Sequence, residues 1–160
     1  MHLELLGTAR KLIAATSDAG PSSTDLKRAV STAYYALFHF VSQSSADDLT
    51  AGGSRTLSRA ASQIYRSLDH RDIAGACEKA RLVSTGFPKE ISDFAQTFLK
   101  LRKSRHAADY DPTSQFHFRQ VEKKIDDAER AINAFSATDR DDRRAFAILV
   151  AVKAPPRNRG

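Results

Sequence analysis

The chain has 160 residues, 41% of them hydrophobic and 28% charged, which excludes a disordered polymer and fits one globular domain. A single cysteine, Cys77, excludes an internal disulfide and a multi-cysteine zinc site, and is expected as a buried apolar residue in a reducing compartment. The net charge of +6, with a pI of about 9.7, inclines the surface toward polyanions through phosphate contacts and counterion release.

The start of the chain, MHLELLGTARK, places Glu4 inside its apolar stretch and offers no small-residue cleavage site, unlike a secretory signal. A first helix is predicted over roughly His2–Thr16, with Leu5, Leu6, Ala9, Leu12 and Ile13 on one side. Gly20-Pro21 breaks it. Ser23 or Thr24 is expected to cap the second helix, with Asp25 in its first turn. Leu26, Val30, Ala33, Tyr34, Leu37 and Val41 make its core stripe, which fades near Asp47. Gly52-Gly53-Ser54 is a second break, with Ser54 as the cap of a third helix carrying Leu57, Ala60, Ala61, Ile64, Tyr65 and Leu68. A shorter helix follows over Asp72–Val83, with Ile73, Ala76, Cys77, Ala80 and Leu82, and Ser84–Phe87 closes it.

Pro88 suits the first position of a long helix whose buried side holds Ile91, Phe94, Ala95, Phe98 and Leu101. Asp111-Pro112 ends it, because proline disfavours helical geometry in the residue before it. Thr113 or Ser114 is expected to cap the last major helix, with Phe118, Val121, Ile125, Ala128, Ile132 and Phe135 as its stripe. Asp139 is expected to cap a final helix through Val152, packed either on its own bundle or on a second subunit. Its apolar run Ala145–Val152 is far short of the roughly 20 residues that span a bilayer. Residues 154–160 are expected to be a disordered tail. The prediction is an all-α, antiparallel up-and-down bundle of five to six helices over residues 1–153, cytoplasmic and without a membrane partner.

The chemistry concentrates at the end of the long helix, in RKSRHAADYD. One step past Leu101, the buried stripe lands on Arg105. A guanidinium there must be paired or must line a cleft. Asp109, four residues on, is its natural partner, and Arg102 with His106 forms a second pair at the same spacing. Two readings stand. In one, Arg102 and Arg105 hold a phosphodiester and His106 moves a proton near neutral pH. In the other, the segment is an ion-paired helix end with Tyr110 packed beside it. On the second helix Tyr35 and His39 share a face, so His39 either points at the same cleft or sits as a hydrogen-bonded histidine at the core edge. Tyr34 and Phe38 are expected in the core. His2, His70 and His117 fall at predicted helix boundaries or exposed positions and are not counted as site residues. No His/Asp/Glu set has metal spacing, no glycine-rich phosphate loop or serine nucleophile motif occurs, and no cofactor is expected.

Two segments, LKRAVSTAYYALFHFV (Leu26–Val41) and LRKSRHAADYDP (Leu101–Pro112), resemble the HEPN superfamily of small helical prokaryotic proteins, over roughly Leu3–Phe135. The resemblance implies a HEPN-like helical bundle that forms a homodimer. Many such proteins are metal-independent endoribonucleases, often toxins paired with a nucleotidyltransferase or another antitoxin. Others lack the signature and act as binding or regulatory modules. The signature is an arginine, often a polar residue after it, and then a histidine, with two copies meeting across the dimer cleft. Arg105 matches the arginine and His106 the polar position. Tyr110 stands five residues after Arg105, where active members carry histidine. Pairing Arg102 with His106 instead gives a spacing one residue short. A tyrosine with a pKa near 10 is a poor base at pH 7, though it can donate a hydrogen bond, stack on a base or act as a weak acid. The resemblance therefore implies one of two functions. The first is a metal-independent endoribonuclease of a toxin–antitoxin or defence system, with Arg105, Arg102, His106 and Tyr110 as its catalytic set. The second is a non-catalytic module that binds RNA, a nucleotide or a partner protein through Arg102, Arg105, His39 and Tyr35, with Asp109 as a supporting ion pair.

Overall fold

The computed structural model describes residues 1–14, 18–51, 55–82 and 85–152. Seven helices account for these residues: α1 (His2–Ile13), α2 (Ser23–Thr50), α3 (Arg55–Ser67), α4 (His70–Ala80), α5 (Lys89–Tyr110), α6 (Phe118–Ser136) and α7 (Arg140–Ala151). No strand occurs among them. No helix among the described residues is long and apolar enough to cross a membrane. The expected end of the first helix at Thr16, the Gly52-Gly53-Ser54 break with its cap, the boundary at Val83 and Ser84, and the 154–160 tail all lie outside the described residues.

Seven helices stand where five to six are expected; the third helix and the shorter helix after it are two separate elements, as their sequence pattern suggests, and α4 starts at His70 rather than Asp72. The Asp69 side chain accepts from the backbone N–H groups of Arg71 and Asp72, both at 2.8 Å, and so starts a new helix. The cap of α2 is Ser22, not Ser23 or Thr24. Ser22 Oγ accepts from Asp25 N at 3.1 Å, and the Asp25 carboxylate accepts from Ser22 N at 3.2 Å, which satisfies two orphan donors at once. Neither Thr113 nor Ser114 caps α6, which begins behind His117. Instead Thr113 N donates to Asp111 Oδ1 at 2.8 Å, and Ser114 Oγ donates to the Ala107 and Asp111 carbonyls. These two residues close the end of α5. Asp139 does cap α7, accepting from Asp141 N at 2.8 Å.

α2 is the organising element and packs against α1, α3, α5, α6 and α7. It runs past Asp47 because its last turns are buried. Asp48, on that stretch, is 3.3 Å from Arg143 Nε on α7. α2 and α5 are antiparallel: Lys27 at the start of α2 donates to the Asp111 carbonyl at the end of α5, while Phe40 meets Phe94 further along. Phe40, Phe94, Phe135 and Phe146 form one aromatic cluster with ring centroids 4.9–5.7 Å apart. Phe146 thereby seats α7 on its own bundle. Cys77 is buried, and burial pushes its thiol up, away from reactivity.

The third helix departs from expectation. None of its residues is buried, and Leu57 is exposed. α3 packs chiefly on α2, and a single neighbour leaves part of an amphipathic helix uncovered. Phe118 and Leu82, expected on buried stripes, are exposed as well, because Phe118 is the first residue of α6 and Leu82 lies past the end of α4.

Candidate functional site

The antiparallel register of α2 and α5 brings the tyrosines of one against the arginines of the other. Arg105 Nη2 donates to Tyr35 Oη at 3.1 Å. Its guanidinium carbon lies 5.4 Å from the Tyr110 ring centroid, 5.6 Å from that of Tyr35 and 5.9 Å from that of Tyr34. Asp109 is its ion-pair partner, with Oδ2 2.7 Å from Nε, although the Nε–H is not aimed at the carboxylate and forms no hydrogen bond. Ser31 Oγ donates to the other carboxylate oxygen. Arg105 is therefore both paired and at the edge of a cleft, and each of the two sequence readings describes part of it.

Arg102 and His106 do not form the second pair. Arg102 makes no hydrogen bond or ion pair among the described residues, while the His106 ring lies 4.9 Å from that of Tyr110 at 51°. Tyr110 is 64% exposed. His39 turns away from α5. Its Nδ1 is 2.5 Å from Tyr65 Oη, and the two rings stack at 6.1 Å, so it ties α2 to α3. Burial lowers its pKa, with the chain's amino terminus adding to the effect. The core-edge reading of His39 is the one the geometry matches.

The histidine that sequence reasoning missed is His70, at the start of α4. Its Nδ1 is 2.7 Å from Tyr34 Oη, and its ring lies 4.1 Å from Phe38 and 5.5 Å from Tyr34. Tyr34 is buried as expected, and burial pushes its hydroxyl up to about 12 despite Arg102 and Arg105 nearby. The signal available in the sequence was indirect. A tyrosine on a buried stripe needs a partner for its hydroxyl, but nothing in the local pattern says that the partner lies 36 residues away. Burial lowers the His70 pKa, with Arg105 and Arg102 adding to it against Asp69.

Between α4 and α5 opens a cleft of about 1230 Å³. Arg81, Lys100, Arg102, Lys103 and Arg105 border it, opposed by Glu78 and Asp111. Glu78 is engaged with Arg81 at 2.7 Å. Tyr34, His70 and His106 border the same space; Tyr35 and His39 do not. Among the described residues no group of three or more His, Cys, Asp or Glu side chains gathers to hold a metal ion. Comparison with protein-family models, curated proteins and solved structures finds no match for this chain. Its function therefore has to be argued from the cleft.

Proposed function

We propose that the protein is a HEPN-like RNA-binding module that holds the phosphodiester backbone in the α4–α5 cleft. The observation that carries this reading is the row of five cationic side chains, from Arg81 to Arg105, around a groove with only two carboxylates. Such a row attracts a polyanion and releases counterions when it binds. Arg102 is the unpaired guanidinium for a phosphate, while Arg105, fixed by Tyr35 and Asp109, sets the edge of the groove. The resemblance to the HEPN superfamily adds a homodimer, with a nucleotidyltransferase or antitoxin as the partner proteins.

The test is fluorescence anisotropy with a labelled single-stranded RNA across a salt series. Affinity should fall steeply with salt. In Lys100→Ala/Lys103→Ala the slope of log K against log salt should become shallower by about 1.4, at about 0.7 per lost phosphate contact on single strands. Affinity that ignores salt, or a double variant with the wild-type slope, sinks the reading.

His106 favours a second reading, a metal-independent endoribonuclease. It borders the cleft beside Tyr110 and next to Arg105, where a general acid or base would be needed. Incubation with tRNA and mRNA in EDTA decides it. Cleavage that disappears in His106→Ala but survives in Tyr65→Phe supports catalysis. Intact RNA with wild-type protein leaves the binding module alone.

A further inference from the structure

His70 borders the cleft on the side opposite the arginines of α5, and its ring is fixed on several sides. Phe38 covers it at 4.1 Å, Tyr34 stacks on it at 5.5 Å and 29°, and Tyr35 meets it edge-on at 5.8 Å. Its Nδ1 is engaged by the Tyr34 hydroxyl at 2.7 Å. That hydroxyl has no other hydrogen-bond partner among the described residues, and it stays protonated far above neutral pH. A buried hydroxyl whose proton has no other acceptor is satisfied by donating to Nδ1. A neutral imidazole that accepts at Nδ1 carries its proton on Nε2. The Nε2 atom has no hydrogen-bond partner among the described residues and is not sealed from solvent. The charged and titratable groups around the ring are Arg102 and Arg105 on α5, Asp69 at the start of α4 and His39 on α2.

We infer that His70 is a second RNA contact of this cleft, an uncharged donor whose Nε2–H binds a phosphate or ribose oxygen, with Tyr34 as the positioning residue that sets its tautomer. The inference rests on the RNA-binding reading and deepens it. Lysines and arginines attract the backbone from a distance; a rigid neutral donor discriminates where the oxygen sits. The geometry suits that division of labour, since the five cations lie on long side chains while His70 is held by aromatic faces.

The distinction is measurable because a neutral donor displaces no counterion. His70→Phe keeps the ring stack and removes the donor. It should weaken RNA binding about fivefold to tenfold and leave the salt slope at the wild-type value. Tyr34→Phe should weaken binding less, again at constant slope, because the tautomer is no longer imposed. Imidazole ¹⁵N spectra of the wild-type protein supply a readout that needs no variant to fold. They should show His70 protonated at Nε2, with that resonance moving on addition of oligouridylate. A proton on Nδ1, or an Nε2 resonance that ignores the oligonucleotide, overturns the inference. So does His70→Phe binding RNA as tightly as wild type while Lys103→Ala weakens it, an outcome that leaves the RNA reading standing. A slope shallower by about 0.7 in His70→Phe would mean that the residue acts as a cation, which also overturns it. A wild-type protein that binds no RNA removes both readings together.

Discussion

Arg105 is 19% exposed at its side chain and Asp109 30%, so their attraction works neither through bulk water nor in a dry interior. The Tyr34, Tyr35 and Tyr110 rings around the guanidinium and the Tyr35 hydroxyl add further contacts that hold it in place. Beside it, on α2 and α4, stand two histidines that, like His2, make stability depend on pH. His39 and His70 both have pKa values lowered in the fold, chiefly by burial. As pH falls below about 6.5, the unfolded chain takes up these protons before the folded protein does, so stability is lost from there down through the folded pKa values. The urea midpoint should drop between about pH 7 and pH 5.5, and His39→Gln/His70→Gln should flatten that dependence. A pH profile that is the same with and without the two imidazoles would contradict the assignment.

At the scale of elements, long amphipathic stripes were legible in the sequence. Those of α2, α5 and α6 are buried nearly as their spacing predicts, because one wrong face would strand several large side chains in water. The α3 stripe was equally regular and misled, because periodicity says that a helix has an apolar side without saying that anything covers it. The cap of α2 was misplaced by one residue. The box that Ser22 forms uses Asp25, where a longer Glu is the usual partner. In the site, Arg105–Asp109 was readable because it is local. Tyr35–Arg105, Tyr34–His70 and His39–Tyr65 were not, since each joins two helices whose pairing the sequence leaves open. With no buried residue, α3 should exchange its backbone amides with solvent well before α2 and α5 do, seen as separate protection classes in native-state hydrogen exchange. Equal protection across the three helices would show that α3 opens only with the whole fold.

For the whole molecule, the decisive contacts are those of the aromatic cluster, where Phe135 touches α2, α5 and α7 at once through Phe40, Phe94 and Phe146. Phe135→Ala should cost about 3–5 kcal/mol, measured as the change in unfolding free energy by denaturant titration. A loss below about 1 kcal/mol would mean that the core repacks around the gap. α2 passes this cluster and has unrelated tasks at its two ends. Ser31 and Tyr35 serve the cleft. Asp48 holds Arg143, whose Nη1 also donates to the Ser136 carbonyl at 3.3 Å and to the Thr138 carbonyl. Some 17 residues of helix separate Ser31 from Asp48, roughly 25 Å at 1.5 Å per residue. The two sites are that far apart and share no hydrogen-bond partner, so their contributions to stability add nearly independently. The Arg143 end can therefore be loosened or tightened as a dial on overall stability while the cleft keeps its shape, and a change in the cleft can be compensated there without touching a single residue that meets the ligand.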